Sequence, residues 1–372
     1  MKYYIISGEA SGDLHGSSLI KQLKELDSTA NIRCWGGDLM QSAGADLVKH
    51  YKELAFMGFA EVIKNLPTIL KNISFCKKDI KDFAPDVLIL IDYPGFNLRI
   101  AEWAKQQGYK IIYYISPQVW AWKANRVKKM RTCIDKMMVI LPFEKDYFKD
   151  VWQWDVDYVG HPLVEVIEQY KNNYKPSPTL NTTAPIIALL PGSRKQEIEK
   201  KLPLMLQVSK AFPNYQFIVA KAPGQEDSFY EPFLKDYTNV STTNNETYSL
   251  LMKAKAALVT SGTATLETAL FGVPEVVCYK GSKISYEIGK RLIKIKYISL
   301  VNLIMDKLVV TELIQDELTT ENMVKELQLL LTNADKQSQI NADYIKLKNL
   351  LSESGNASAK AASIVYKFLL SE

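Results

Sequence analysis

Two carboxylates stand directly after apolar runs in the first part of the chain, where side chains can act on a ligand. Asp92 ends the wholly apolar run Val87–Ile91, and Glu9 lies in a turn after the apolar run Tyr3–Ser7. Open parallel sheets place ligands beyond the carboxyl ends of their strands, so both carboxylates face such an edge. Asp92 is therefore a candidate general base, with helix capping as its alternative role, whereas Glu9 has little structural purpose in a turn.

The turn that holds Glu9 is rich in glycine and precedes a predicted helix. Its sequence, Ser-Gly-Glu-Ala-Ser-Gly-Asp at Ser7–Asp13, permits a tight turn and leaves N–H groups available at the helix start. The spacing is neither G-x-G-x-x-G nor that of a P-loop, so the turn predicts neither dinucleotide nor ATP binding. Ser11 and Asp13 either cap the helix or face the same ligand as Glu9.

A loop in the second half of the chain has the parts of a diphosphate site. After the apolar run Ile186–Leu190 come a turn glycine, Ser193 and Arg194, immediately before a predicted helix. The helix N-terminus supplies N–H donors, and the Arg194 guanidinium can donate two charge-assisted hydrogen bonds. Together these groups suit a diphosphate.

A second loop of this kind follows the apolar run Ala257–Thr260. Its small hydroxylated residues let a phosphate approach a helix start. They are Ser261, Gly262, Thr263 and Thr265. Glu267, one helical turn further on, is placed to accept both hydroxyls of a ribose. Either loop alone is compatible with ordinary capping, but two in one half of the chain favour a nucleotide.

Short apolar runs alternate with helix-period segments from end to end, which indicates βαβ units and parallel sheets. The predicted strands are Tyr3–Ser7, Ile32–Trp35, Val87–Asp92, Ile111–Ile115, Met137–Leu141, Tyr158–Val159, Ile186–Leu190, Phe217–Ala220, Ala257–Thr260 and Val276–Tyr279. The segment Phe59–Phe83 carries a helical apolar stripe that is interrupted near Pro67. We therefore predict an α/β fold with the loops above at the sheet edges.

The length of 372 residues exceeds what one hydrophobic core usually serves, so we expect two domains. The apolar periodicity is lost between Tyr170 and Pro185, a stretch whose composition is typical of an exposed linker. We predict an N-terminal domain over 1–168 and a C-terminal domain over 169–353, with a last helix at 354–372 that packs back onto the first domain.

Composition and charge exclude several classes of protein. The four cysteines form no C-x-x-C pair, which argues against a zinc site or a disulfide framework and fits the reducing cytoplasm. The first residues are typical of a core strand and not of a signal peptide, and no apolar run of about 18 residues predicts a membrane span. The net charge of +5 is mild and the Lys and Arg residues are dispersed, so no nucleic-acid binding is expected.

The motifs resemble those of the lipid-A-disaccharide synthase family, in the same order along nearly the whole chain. They are Ser7–Asp13, Met57–Val62, Asp92–Asn97, Ser116–Trp122, Leu141–Glu144, Gly160–Pro162, Leu190–Arg194, Ser261–Glu267 and Ser299–Leu303. The Ser-Gly-Thr loop is shared with other nucleotide-sugar transferases, but the Trp-Ala-Trp and Gly-Glu-Ala-Ser-Gly-Asp motifs are specific.

This resemblance implies a GT-B fold, two Rossmann-like parallel-sheet domains with an interdomain cleft, and inverting chemistry without a cofactor or metal. It implies transfer of 2,3-diacylglucosamine from UDP-2,3-diacylglucosamine to 2,3-diacylglucosamine 1-phosphate, which forms the β-1,6-linked lipid A disaccharide and UDP. The implied UDP-binding residues are Ser193, Arg194, Ser261, Gly262, Thr263, Thr265, Glu267, Asn302 and Gln315. The catalytic residues would be Asp92 and Glu9, and the acceptor and lipid side would include Ser11, Asp13, Met57, Asn97, Trp120 and Trp122.

One position departs from the family. Many relatives carry a second acidic residue where this chain has Gly95, so Asp92 or Glu9 must act as the base here. For Trp120 and Trp122 the alternative to stacking on a sugar or an acyl chain is plain core packing.

Two acylated substrates imply peripheral contact with the cytoplasmic surface of the inner membrane. The apolar segment Leu54–Ala60 and the basic residues that follow the tryptophans are the predicted contact face, with core packing and an ordinary solvated face as alternatives. The basic residues are Lys123, Arg126, Lys128, Lys129 and Arg131. The resemblance also implies a homodimer.

The sequence is compatible with three other functions. A transferase similar to the peptidoglycan N-acetylglucosaminyltransferase would have the same nucleotide-binding loops in its second half, and so would a UDP-sugar epimerase. A nucleotide- or nucleic-acid-binding module without catalytic activity is the third.

Overall fold

The computed structural model describes residues 1–54, 66–223, 225–282, 286, 296–353 and 355–371. The chain divides into two compact units, which we call unit 1 (Met1–Pro162 with Leu351–Glu372) and unit 2 (Leu163–Leu350). Each unit is built around its own parallel sheet, of seven and six strands respectively, which confirms the predicted fold class.

Unit 1 alternates strands and helices from its first residues. Its strands are β1 (Lys2–Ser7), β2 (Asn31–Gly36), β3 (Asp46–His50), β4 (Val87–Ile91), β5 (Ile111–Tyr114), β6 (Lys136–Val139) and β7 (Asp157–Tyr158). Its helices are α1 (Ala10–Leu26), α2 (Asp38–Ser42), α3 (Leu66–Phe83), α4 (Pro94–Gln106), α5 (Arg126–Cys133) and α6 (Pro142–Trp152), together with the last helix of the chain, α15 (Ala357–Leu370). Helix α15 packs against α1.

In the sheet of unit 1, the direction in which successive strands are added reverses between β1 and β4. The strand order is β3-β2-β1-β4-β5-β6-β7, so the chain first moves outward from β1 to β3 and then outward from β4 to β7. Ser7, the last residue of β1, is paired with Ile91, the last residue of β4. The turns that follow these two strands therefore lie side by side at a topological switch point, where open α/β sheets bind their ligands.

Unit 2 repeats this architecture. Its strands are β8 (Ile186–Leu190), β9 (Gln216–Lys221), β10 (Val240–Asn244), β11 (Ala254–Thr260), β12 (Glu275–Tyr279) and β13 (Thr311–Ile314). Its helices are α7 (Leu163–Asn172), α8 (Lys195–Val208), α9 (Asp227–Leu234), α10 (Thr247–Lys253), α11 (Thr263–Phe271), α12 (Leu300–Met305), α13 (Thr320–Thr332) and α14 (Ala334–Ser352). The order β10-β9-β8-β11-β12-β13 puts the switch point between β8 and β11, so both predicted anion loops meet there.

The sequence prediction lacked three strands, and each of them lies at an edge of its sheet and contains polar residues. They are β3, β10 and β13, with the sequences DLVKH, VSTTN and TELI. Edge strands are solvated along one side, so they need no continuous apolar run and give little signal. Helix α3 is described over Leu66–Phe83, and the predicted helical stretch 59–65 lies outside the described residues.

The predicted linker overlaps helix α7, which belongs to unit 2. The Tyr170 hydroxyl lies 2.6 Å from Ser249 Oγ, and Lys171 Nζ donates to the carbonyl oxygen of Leu270 at 2.7 Å. These bonds attach α7 to α10 and α11, so the boundary precedes α7 instead of following it.

The glycines of the first motif serve close packing. A Cβ on Gly12 would lie 2.8 Å from Ser7 Cβ, and one on Gly16 would lie 2.7 Å from Met40 Sδ. Both distances are too short for real contacts, so a larger residue would push α1 away from β1 and α2. The motif therefore fixes how α1 lies on the sheet.

A carboxyl group without a partner lies in the core of unit 2. Glu275 is 1% exposed, and among the described residues neither of its carboxylate oxygens has a hydrogen-bond partner. Burial, with the charge of Glu312, raises the pKa of Glu275 well above its ordinary value. Ionisation of this carboxyl therefore opposes folding, so it lowers the free energy of unfolding as the pH rises above the ordinary pKa of a glutamate.

We expect the Glu275→Met substitution to stabilise the protein, because an apolar side chain of similar volume needs no proton. The gain is about 1–3 kcal/mol at pH 8 and smaller at pH 5.5. Urea denaturation at the two pH values measures it. A variant that is less stable than the natural protein at pH 8, or a gain that does not change with pH, would contradict this account.

Candidate functional site

The switch point of unit 1 presents Asp92 on an unusual backbone. Asp92 and Tyr93 follow β4 with φ values of +43° and +47°, in the left-handed region that non-glycine residues seldom adopt. Asn97 holds this turn, since its Nδ2 donates to the carbonyl oxygens of Ile91 at 3.2 Å and Asp92 at 2.8 Å. The hydroxyl of Tyr113 also donates to the Asp92 carbonyl. Strained turns that several contacts fix are typical of functional sites.

Glu9 and Asp92 lie close enough to interact electrostatically. Burial, followed by the negative charge of Glu9, raises the pKa of Asp92 to about 7. Glu9 itself is exposed at the N-cap position of α1 and makes no side-chain capping bond. A carboxyl that titrates near neutrality suits proton transfer, so the structure brings the two predicted acids together in a chemically useful pair.

Gly8 lies under the ring of Tyr93. A Cβ on Gly8 would lie 2.4 Å from Tyr93 Cγ, whereas a Cβ on Gly95 would have no atom of the described ranges within 4 Å. We therefore expect Gly8→Ala to displace the ring and to destabilise the protein by about 1–3 kcal/mol. Gly95→Ala is the matched control and should leave the melting temperature unchanged or higher. The two thermal unfolding curves check this, and equal midpoints would contradict the packing account.

Two residues predicted on the acceptor side have supporting roles. Asp13 is 3% exposed, and its carboxylate accepts hydrogen bonds from the backbone N–H groups of Gly37 at 2.8 Å and Met40 at 3.0 Å, so it holds the start of α2. Asn97 is fully buried beneath Asp92. The side chains of both residues are thus occupied by contacts within the chain, and their contact with a ligand stays a prediction. The alternative of a cap on α1 is wrong for Asp13, whereas Ser11 is exposed in the turn.

The two tryptophans after β5 differ in their surroundings. Trp120 is half-buried, with its ring in a T-shaped contact with Phe143 at 5.0 Å between centroids. Trp122 is 48% exposed, and its ring lies 4.0 Å from Lys123 Nζ and 5.8 Å from the Arg126 guanidinium. Trp120 therefore follows the packing alternative, while Trp122 remains available at the surface. Met57 lies outside the described residues.

Glu144 is a candidate site residue that the sequence reasoning missed. It is 1% exposed in the first turn of α6, where it accepts hydrogen bonds from Trp120 Nε1 at 3.2 Å and Leu141 N at 3.0 Å. Burial raises its pKa to about 7, and the charge of Asp92 contributes. A glutamate in a first helical turn predicts only capping, and its electrostatic link to Asp92 arises from the fold.

The switch point of unit 2 presents two helix N-termini. Gly192 and Gly262 have φ values of +116° and +127°, which only glycine adopts without strain. Helices α8 and α11 begin just after these turns, and neither N-cap residue makes a side-chain capping bond. Ser193, Arg194 and Thr263 are exposed beside them, with Arg194 Nη1 3.6 Å from Glu197 Oε1. This arrangement is a ready anion site.

Thr265 and Asn302 support these loops from inside. Thr265 is fully buried and its hydroxyl donates to the Gly262 carbonyl at 2.8 Å. Asn302 is fully buried too, with Oδ1 accepting from Val309 N at 2.8 Å and Val310 N at 3.0 Å. Its Nδ2 donates to the carbonyl oxygen of Val310 at 2.8 Å and to Glu312 Oε1 at 2.9 Å. Both side chains therefore position the backbone of unit 2, and their contact with UDP stays a prediction.

Glu267 and Gln315 remain at the edge of the sheet. The hydroxyl of Tyr248 donates to Glu267 Oε1 at 2.8 Å, and burial raises the pKa of Glu267. Gln315 Oε1 accepts from Gly281 N at 2.8 Å and so joins the ends of β12 and β13. Tyr248 belongs to no motif, and only the packing of α10 against α11 brings it to Glu267. Ser261, which is half-buried, completes the loop.

The described ranges contain no group of three or more His, Cys, Asp or Glu side chains arranged to hold a metal ion, and no helix long and apolar enough to cross a bilayer. All four cysteines are buried as free thiols. Burial lowers the pKa of His15 to about 4 and that of His161 to about 3, so neither imidazole titrates near neutrality.

The comparison with solved structures identifies the fold of the chain. A structure of UDP-GlcNAc 2-epimerase from Neisseria meningitidis bound to UDP-GlcNAc is similar with a TM-score of 0.68 at 15% identity, each chain covered completely. The calicheamicin glycosyltransferase CalG4 is similar with a TM-score of 0.64 at 16% identity, over 100% of this chain and 98% of that one. At such identities the likeness shows the GT-B fold alone.

Sequence comparison is more specific. The family described as lipid-A-disaccharide synthetase matches residues 3–366. Lipid-A-disaccharide synthase of Geobacter metallireducens is 37% identical, over 98% of this chain and 96% of the relative, and that of Coxiella burnetii is 35% identical, over 99% and 98%. The chain therefore belongs to the lipid-A-disaccharide synthase family of GT-B glycosyltransferases.

Proposed function

We propose that the chain transfers 2,3-diacylglucosamine from UDP-2,3-diacylglucosamine to 2,3-diacylglucosamine 1-phosphate, with inversion, to give the β-1,6 disaccharide and UDP. The observation that carries this proposal is the chemistry at the two switch points. Unit 1 offers a coupled pair of carboxylates, and unit 2 offers two helix N-termini with an arginine. Family membership supports the choice of substrates.

Unit 1 would act on the acceptor. Asp92 would remove the proton from the 6-hydroxyl as its oxygen attacks the anomeric carbon of the donor from the face opposite UDP. The raised pKa of Asp92 favours this step, because the base must hold the proton that it takes. Glu9 would keep that pKa high through its own charge and would orient the acceptor.

Unit 2 would hold the leaving group. Negative charge builds up on the diphosphate as the bond between the donor's anomeric carbon and UDP breaks. The N–H groups that begin α8 and α11, with Arg194, would stabilise that charge. No Asp-x-Asp sequence stands near either loop, and we propose that the reaction needs no metal ion or cofactor.

We also propose peripheral contact with the cytoplasmic surface of the inner membrane. The exposed ring of Trp122, with Lys123 and Arg126 beside it, suits the boundary between headgroups and acyl chains. Sedimentation with vesicles that contain anionic lipid would test it, since Trp122→Ala should reduce the bound fraction. A homodimer stays a prediction.

The decisive experiment incubates the purified protein with both lipid substrates in the presence of EDTA and follows the products by mass spectrometry. A disaccharide formed at the same rate with EDTA and with added magnesium supports both the reaction and its independence of metal. An epimerised UDP-sugar formed without acceptor would favour the epimerase alternative, and no disaccharide under either condition would refute the proposal.

A further inference from the structure

Unit 2 contains a buried lysine directly beneath the two anion loops. Lys201 lies two turns into α8, is 3% exposed, and its Nζ donates to Thr260 Oγ1. Thr260 is the last residue of β11, and its Cγ2 lies 3.5 Å from the place that a Cβ on Gly192 would occupy. The ammonium group is thus held under the point where both loops meet.

Among the described residues, Lys201 has no ion-pair partner, since no carboxylate of those residues lies within 4.0 Å of its Nζ. Burial lowers the pKa of Lys201, and the negative charge of Glu197 opposes that effect. Removal of an unpaired ammonium group from water is costly, and a bound anion would offset that cost.

Glu197 is the acid that faces both cations of this cluster. It lies 3.6 Å from Arg194 Nη1, and its Oε2 would be 2.6 Å from a Cβ on Gly192. One carboxylate therefore stands against the two positive charges of Arg194 and Lys201, and the helix N-termini add further positive potential. The cluster has an excess of positive charge that an incoming anion can neutralise.

We propose that Lys201 is a positioning and specificity residue that supplies a positive counter-charge under the diphosphate, so that unit 2 selects a nucleoside diphosphate over a monophosphate or a free nucleoside. The proposal rests on the proposed function of unit 2 as a UDP site. Lys201 acts from beneath the loops through Thr260, because its own side chain is closed to solvent. In a site that excludes water, the attraction between an ammonium group and a bound diphosphate is stronger than in bulk water.

Isothermal titration with UDP, UMP and uridine tests the proposal on the full chain. Lys201→Met should weaken UDP binding by about tenfold or more, weaken UMP binding less, and leave uridine binding within about twofold. Lys200→Met is the matched control, because it removes the same charge from the neighbouring exposed position of α8. That control should bind UDP within about twofold of the natural protein.

Several results would overturn the proposal. Unchanged UDP affinity in Lys201→Met would mean that the lysine carries no effective charge toward the ligand. Equal losses for UDP and uridine would show a merely structural role. If Lys201→Met does not fold, Lys201→Gln, which retains a donor for Thr260, takes its place with the same expectations. No UDP binding by the natural protein would refute the proposed function itself, and this result is distinguishable because it precedes any variant.

Discussion

Asp92→Asn should lower kcat by about 10²- to 10⁴-fold, the usual contribution of a positioned general base, with the UDP dissociation constant within about twofold of that of the natural protein. The substitution keeps the shape of the side chain but removes the site for the acceptor proton. Initial rates of disaccharide formation, together with titration calorimetry for UDP, measure the two quantities separately. A kcat near that of the natural protein would remove Asp92 from the mechanism.

Asp86→Asn is the control for this experiment. Asp86 is an exposed aspartate immediately before the other end of β4, where its carboxylate accepts a hydrogen bond from the backbone N–H of Lys2. The same chemical change at that position should leave kcat unaltered. Unfolding curves serve as a second control. The raised pKa of Asp92 means that its ionisation opposes folding at high pH, so Asp92→Asn should be at least as stable as the natural protein at pH 8.

The pH dependence of kcat/KM separates the acids of unit 1. If Asp92 is the base, the rate rises as the pH passes about 7, because the ionised form is the active one. Glu9→Gln removes a charge that raises this pKa, so the residual activity should rise at lower pH than that of the natural protein. We expect Glu9→Gln to lose most turnover while it retains UDP affinity. If the pH at which kcat/KM rises shifts in Glu144→Gln but not in Glu9→Gln, the titrating group is Glu144.

Arg194→Ala should weaken UDP binding by about 1.5–3 kcal/mol, or roughly tenfold to over a hundredfold, the contribution of a charge-assisted hydrogen bond. Arg194 is exposed beside the start of α8, and its only described ion-pair partner is Glu197 at 3.6 Å. Removal of the Arg194 guanidinium should also lower kcat, because the charge on the diphosphate grows as the bond between the donor sugar and UDP breaks.

Lys195→Ala is the control for the arginine. Lys195 is the next residue and is exposed, with its Nζ over the ring of Phe229 at 5.5 Å from the centroid. Calorimetry should find its UDP affinity close to that of the natural protein. If Arg194→Ala and Lys195→Ala weaken binding equally, the effect comes from general surface charge and not from a specific contact.

The positions of the loops were predictable because the strands that precede them are buried on both faces. Val87–Ile91 and Ile186–Leu190 are fully buried strands, and such runs have an unmistakable apolar pattern. Once the strands are placed, the residues after them must lie at one sheet edge. The approach of Glu9 to Asp92 follows from this topology, although the sequence alone gives no strand order.

The direction of individual side chains was not predictable. Asn302 is polar, follows a helix cap and belongs to a family motif, which favours a ligand contact, yet four backbone and side-chain partners occupy its amide. Glu144 was named only as part of a family motif, and its burial and its link to Asp92 appear only in the fold. Neither arrangement was predictable, because the interacting partners come from segments distant in sequence, which a local pattern cannot identify.

The open space around Gly95 has an evolutionary consequence. A Cβ at this position meets no atom of the described residues within 4 Å, so an acidic side chain can begin there without displacing them. A lineage can therefore gain or lose a second acid three residues from Asp92 in one mutational step. Under the proposed mechanism, the role of general base can then pass between neighbouring positions while the scaffold stays the same.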